Sequence, residues 1–155
     1  MKQINGTPHN VTTDIIGRIT QKKSLLSSHK NEIYVAKGEQ KLPKGYAAVI
    51  SNSSTAINTP FVSDISIEQL NEFNEGDVVL INKKGEIVFL YEIKSNHNAI
   101  FVTERCNHRC IMCPQPPVVE EEDKTPLNMK LISLIDKNTE ELGITGGEPT
   151  LVGDN

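Results

Sequence analysis

The three cysteines of the chain are the residues best suited to chemistry, because they lie close together. Cys106, Cys110 and Cys113 are the only cysteines among 155 residues. An odd number of thiols at this spacing cannot form a complete set of disulfides. Thiolates held this close repel one another unless a cation neutralises them, so the pattern predicts a metal site.

The number of thiols narrows the choice of metal. Structural zinc takes four protein ligands, and His108, between two of the cysteines, is the candidate for the fourth. An iron–sulfur cluster also normally takes four cysteines, so three would leave one iron without a protein ligand. Such a vacancy resembles the open position of a catalytic metal site, where a substrate completes the shell. The cysteine pattern by itself leaves both metals open.

A second motif lies downstream, where Gly146-Gly147-Glu148-Pro149 follows an apolar stretch. The spacing C-x3-C-x2-C followed by GGEP resembles the radical S-adenosylmethionine (SAM) superfamily. The resemblance implies that the three cysteines bind a [4Fe-4S] cluster and that SAM chelates its fourth iron. It also implies a set of SAM-binding residues: Gly146, Gly147, Glu148 and Pro149 at the methionyl ammonium, and Met112, where the family often has an aromatic residue, near the adenine.

Closer matching narrows the family further. Residues 103–117 and 144–151 are similar to the C component of the His-Xaa-Ser system radical SAM maturases. The resemblance implies a peptide or protein substrate, an electron donor such as flavodoxin or ferredoxin, and a partner maturase. It implies reductive cleavage of SAM to a 5′-deoxyadenosyl radical, a step that needs no separate acid–base residue. It also implies that amides between the first two cysteines donate hydrogen bonds to sulfur.

Composition excludes some classes of function. The net charge of −4 gives no basic footprint for general nucleic-acid binding. No stretch approaches the roughly 20 apolar residues that cross a bilayer, and the first residues lack the apolar run of a signal peptide. Because the cluster needs reduced cysteines, we expect a cytoplasmic protein that contacts neither membrane nor nucleic acid.

The first part of the chain predicts a β-rich domain over residues 1–97. Residues 14–20, 32–36 and 45–51 have strand composition, and residues 41–45 form a turn. Ser66 and Gln69 predict a capping box that begins a short helix through Phe73. Residues 78–81 and 87–91 flank a glycine turn and predict a hairpin. Residues 1–12 are polar, and we expect a loose arm there.

The second part, residues 98–155, predicts one βαβ unit. A buried strand at 99–102 leads into the cysteine loop, and prolines in residues 114–117 stiffen the exit from that loop. Thr125 and Pro126 predict the N-cap and first position of a helix that runs to about Glu141. A strand at 143–145 then places GGEP beside the cysteine loop, at the edge where (β/α) barrels carry their catalytic residues.

The predicted fold class is therefore α/β, with a β-rich N-terminal domain followed by the start of a (β/α)6 radical SAM barrel. That barrel needs six units, whereas the sequence stops at Asn155 inside its second unit. We therefore expect a truncated barrel. The alternatives to an enzyme are a noncatalytic fragment or scaffold and a structural zinc module.

Overall fold

The computed structural model describes residues 2–23, 29–38, 42–53, 58–113, 118 and 122–152. Lys41 of the predicted turn and the proline segment 114–117 lie outside these ranges. Within them the chain is a mixed α/β protein with an eight-stranded sheet, a two-stranded parallel sheet and two α-helices. Neither helix of the described ranges is long and apolar enough to cross a membrane. The strands of the large sheet are β1 (Gln3–Asn5), β2 (Thr7–His9), β3 (Ile15–Thr20), β4 (His29–Ala36), β5 (Tyr46–Ser51), β6 (Phe61–Ser63), β7 (Val78–Ile81) and β8 (Glu86–Tyr91).

The two edges of the large sheet are joined by one continuous stretch of chain, residues 3–9. Its order is β1-β8-β7-β3-β4-β5-β6-β2, so the two ends of the order are β1 and β2, which only Gly6 separates along the chain. β1 pairs with β8 and β2 pairs with β6, both antiparallel. At Gly6 a Cβ atom would lie 2.5 Å from the Ser63 carbonyl oxygen, so glycine allows the strand to cross this seam. The result is a small barrel with an apolar interior.

Polar side chains fasten the seam between β2 and β6. His9 stacks on Phe61 with ring centroids 4.1 Å apart, and its Nε2 atom lies 2.9 Å from Ser63 Oγ. Ser63 is fully buried and donates to Asp64 Oδ2 over 3.0 Å. The serine hydroxyl therefore has partners on both sides, which satisfies a polar group that would otherwise be costly to bury.

The barrel agrees with most of the predicted local elements and corrects one. The three predicted strands and the hairpin are present as β3, β4, β5 and β7–β8. The expectation of a loose arm at residues 1–12 was wrong, because residues 3–9 form the strands that close the barrel and bury Ile4. The segment is polar because β1 has one face toward solvent and buries only Ile4, so its composition does not reveal a strand.

The first helix, α1 (Ile67–Leu70), begins as predicted and ends early. Gln69 N donates to Ser66 Oγ over 3.2 Å, and Ser66 N donates to Gln69 Oε1 over 3.1 Å, which confirms the capping box. Phe73, predicted to be helical, instead leaves the helix and stacks in the core on Phe89 with ring centroids 5.0 Å apart. The helix is only one turn long, and a helix this short depends on packing of its neighbours, such as this aromatic ring, for its stability.

The second part of the chain is the predicted βαβ unit, made of β9 (Ala99–Phe101), α2 (Thr125–Leu134) and β10 (Gly143–Thr145). β9 and β10 pair in parallel, with Ile144 opposite Ile100. The strand β9 is buried only at Ile100, so the prediction of a buried strand holds for one residue of three.

The ends of α2 differ from the prediction. Lys124 occupies the N-cap position predicted for Thr125, and Asp123 Oδ1 accepts from the Thr125 amide over 2.9 Å. The helix ends at Leu134, before the predicted Glu141, because Asp136 starts a competing turn. Its side chain accepts from the Asn138 amide over 2.8 Å, a local alternative to helical hydrogen bonding.

The barrel and the βαβ unit share an apolar cluster and a helix cap. Arg18, on β3, donates from Nε to the Leu134 carbonyl over 2.9 Å and from Nη2 to the Leu134 and Ile135 carbonyls. A guanidinium at this position satisfies free carbonyls and meets the negative end of the helix dipole. The two parts also pack together through one apolar cluster: Val78, Tyr91, Ile100, Leu131 and Leu134. The predicted division into two domains between residues 97 and 98 stays a prediction.

We predict that Arg18→Ala lowers the free energy of unfolding by about 1–2 kcal/mol, because the last carbonyls of α2 lose a charged donor. Arg18→Lys should recover only part of the loss, since an ammonium cannot match the geometry of the guanidinium fork. Urea unfolding measures both variants, with the exposed Arg109→Ala as the control. Unfolding of Arg18→Ala at the wild-type urea concentration would contradict the capping role.

Candidate metal centre

The parallel pairing of β9 and β10 continues past both strands and joins the two sequence motifs. Val102 N donates to the Thr145 carbonyl over 2.9 Å, Gly147 N to Thr103 over 2.7 Å, and Glu148 N to Arg105 over 2.8 Å. The GGEP loop, residues 146–149, is therefore held by backbone hydrogen bonds against the segment that leads into Cys106. The predicted placement of both motifs at one edge is what the backbone shows.

The two glycines of the GGEP loop are needed for this contact. Gly146 has a φ of +140°, and a Cβ there would lie 2.3 Å from the Thr103 carbonyl oxygen. A Cβ on Gly147 would lie 2.2 Å from the Arg105 carbonyl oxygen. The family resemblance implies that these glycines lie at the methionyl ammonium of SAM, and that role stays a prediction. In the structure they let the backbone of the GGEP loop approach the neighbouring segment 103–105.

The cysteine loop, residues 106–113, starts from a fixed base. Arg105 forms a parallel β-bridge with Val118, which follows the cysteine loop, and its carbonyl accepts from the Glu148 amide of the GGEP loop. The backbone of Arg105 therefore contacts both of these segments. Cys106 is half-buried, whereas Cys110 and Cys113 are exposed. A turn links the latter two, since Cys113 N donates to the Cys110 carbonyl over 3.0 Å. Met112, predicted to lie near adenine, projects from this turn and is 94% exposed.

One backbone amide already donates to sulfur. His108 N lies 3.4 Å from Cys106 Sγ in hydrogen-bond geometry, which agrees with the amide–sulfur bonds that the family resemblance implies. Such bonds stabilise a thiolate and tune the reduction potential of a cluster that it ligates. The same sulfur also lies 3.7 Å from the His108 carbonyl oxygen, and the role of Cys106 as a ligand stays a prediction.

Glu148 is held on both oxygens by its own chain. Oε1 accepts from Thr150 N over 3.1 Å and from Thr150 Oγ1 over 2.7 Å. Oε2 lies 3.2 Å from His108 Nε2. The hydrogen bonds from Thr150, with a smaller contribution from His108, hold the pKa of the Glu148 carboxyl below its ordinary value, so this side chain is an anion at neutral pH.

The chemistry of the donor set decides which metal fits. Among the described residues, no three His, Cys, Asp or Glu side chains are already arranged around one ion. The three thiols lie on one loop, with two of them open to solvent, which suits a bulky cluster that leaves one iron for another ligand. A zinc site would need a fourth donor, and because Nε2 of His108 lies 3.2 Å from Glu148 Oε2, only its Nδ1 atom could serve. The loop thus fits a [4Fe-4S] cluster, and the assignment of the individual ligands stays a prediction.

Three residues that organise the site were not identified from the sequence. Thr103 is fully buried, and its carbonyl receives the Gly147 amide. Thr150 holds the Glu148 carboxylate, and Val118 closes the base of the cysteine loop. Only Thr150 had a recognisable signal, because a hydroxyl residue two positions after a carboxylate is a common local hydrogen-bonding pattern.

Curated proteins that are similar to part of this chain support the radical SAM superfamily. The chain is similar to GTP 3′,8-cyclase, a radical SAM enzyme, from Campylobacter jejuni subsp. doylei, with 37% identity over 67 residues, which are 39% of this chain and 21% of that protein. The enzyme from C. jejuni subsp. jejuni serotype O:6 is 39% identical over 64 residues, 37% of this chain and 20% of that protein.

The matched segments make up only a small part of the length of these relatives. The chain spans about a fifth of the length of the curated proteins that it matches. No protein-family model matches the chain, and no solved structure matches it. The comparisons therefore support radical SAM chemistry without identifying a substrate.

We predict that Gly147→Ala destabilises the protein by about 1–3 kcal/mol, because the new Cβ must displace the backbone of Arg105. Gly143→Ala is the matched control, since its Cβ would first meet the Ala99 Cβ at 3.3 Å. Thermal unfolding measures stability, and hydrogen exchange of the Glu148 amide measures separation of the loops. Equal stability and equal exchange in both variants would refute the close contact.

Proposed function

We propose that this chain is the cluster-binding part of a radical SAM enzyme that modifies a peptide or protein substrate of the kind that carries His-Xaa-Ser repeats. The observation that carries the proposal is the contact between the two motifs. Consecutive backbone hydrogen bonds hold the GGEP loop beside the loop that bears Cys106, Cys110 and Cys113. Partial similarity to radical SAM enzymes supports the same chemistry.

Each part of the site has a separate task in this proposal. The three cysteine thiolates would hold the [4Fe-4S] cluster. The backbone of the GGEP loop would orient the methionyl end of SAM, and Met112 would lie against the adenine, as a polarizable apolar side chain can. When bound, the cluster supplies the electron that cleaves SAM to methionine and a 5′-deoxyadenosyl radical.

The partners belong to the proposal as well. An external donor of the flavodoxin or ferredoxin type would reduce the cluster, and a partner maturase would act on the same substrate. The location would be cytoplasmic, because exposed thiols at Cys110 and Cys113 must stay reduced to take up iron.

A nucleotide substrate is the second candidate, because the matched relatives are named GTP 3′,8-cyclase. Anaerobic incubation of the reduced, iron-loaded enzyme with SAM and either GTP or a His-Xaa-Ser peptide separates the two. We expect the peptide to change mass and GTP to stay intact, as read by mass spectrometry. A modified GTP with an unchanged peptide would instead favour the second candidate.

We predict that Cys110→Ala abolishes stable cluster loading, because one of only three thiol ligands is lost. Ile111→Ala is the matched control, since it removes an exposed side chain from the same loop and leaves all three thiols. The measurements are iron and sulfide per chain after anaerobic reconstitution, and the change in the EPR spectrum when SAM is added. Stoichiometric zinc in a colourless wild-type protein, or full cluster loading of Cys110→Ala, would contradict the proposal.

A further inference from the structure

One side-chain contact joins the cysteine loop to the GGEP loop. His108 lies between Cys106 and Cys110 in the sequence, and its Nε2 atom is 3.2 Å from Glu148 Oε2. The backbone contacts between the two segments end at Arg105, before the first cysteine. The His108 side chain therefore reaches back from the middle of the loop to Glu148, the residue whose amide makes the last of these backbone hydrogen bonds.

The partner of His108 is itself held in place. Glu148 Oε1 accepts two hydrogen bonds from Thr150, so only the Oε2 side of the carboxylate is turned to the cysteine loop. Glu148 is 24% exposed in its side chain and His108 is 59% exposed. A carboxylate fixed at one oxygen presents a defined acceptor at the other, which lets one contact orient a flexible loop.

We propose that His108 is a positioning residue that fastens the cysteine loop to the GGEP loop through Glu148. In this arrangement Glu148, a residue of the GGEP loop, also holds the cysteine loop through the His108 side chain, and we call it the shared anchor. The backbone amide of His108 donates to Cys106 Sγ. The side chain and backbone of His108 thus link one predicted cluster ligand to the predicted SAM-binding loop. The consequence for SAM binding rests on the proposed function.

The first arm of the test uses metal-free protein and does not depend on the proposed function. Hydrogen exchange of the Thr150 amide and of the loop amides 107–113 is measured in the wild type, His108→Ala, His108→Gln and the exposed control His97→Ala. We expect His108→Ala to speed exchange about two- to fivefold, the range for losing one exposed polar contact between side chains. His108→Gln should restore slow exchange, because its amide can still donate to Glu148. Wild-type exchange in His108→Ala would overturn the proposal.

The second arm uses iron-loaded protein and titrates SAM by EPR. We expect His108→Ala to weaken SAM binding about two- to fivefold with unchanged iron content. His108→Ala should add little in a Glu148→Ala background, because both changes break one contact. Full additivity of the two variants would overturn the shared anchor. A wild-type protein that takes up no cluster would instead defeat the proposed function and leave the first arm to decide the role of His108.

Discussion

The site depends on the parallel register between residues 98–105 and residues 143–148. Six residues of β9 and β10 set this register, and three further backbone hydrogen bonds extend it to Arg105 and Glu148. A parallel pair needs a crossover connection, which α2 provides. Because Gly146 and Gly147 have no side chains, the extended segments can approach closely enough for these bonds to form. The position of the cysteine loop relative to GGEP follows from this register.

The N-terminal barrel supports the site from the other side. Its own closure depends on residues 3–9, which pair with β8 at one edge and β6 at the other. Through Arg18 it then caps the end of α2 and contributes Val78 and Tyr91 to the shared apolar cluster. The crossover helix is thereby fixed at its C-terminal end, and the helix in turn packs Leu131 and Leu134 beside Ile100 of β9. The barrel stabilises the strand from which the cysteine loop begins.

Local patterns in the sequence predicted much of this arrangement. The capping box at Ser66, the hairpin of β7 and β8, and the order strand, helix, strand around the motifs all depend on residues close in the chain. The closing strand at residues 3–9 and the cap by Arg18 depend on partners far away, and polar composition does not reveal them. The two ends of α2 differ from the predicted positions because Asp123 and Asp136 accept local backbone hydrogen bonds there. The spacing of apolar residues does not indicate whether such a local bond or a further helical turn is the more stable.

The most direct measurement of the central claim is NMR detection of scalar couplings across hydrogen bonds in isotope-labelled protein. The register predicts couplings from the Gly147 amide nitrogen to the Thr103 carbonyl carbon and from Glu148 to Arg105. The pair Gly143 and Asn98 serves as the internal reference for the start of the ladder. Couplings displaced to neighbouring carbonyls, or absent beyond Thr145 while the reference coupling is present, would contradict the juxtaposition of the two motifs.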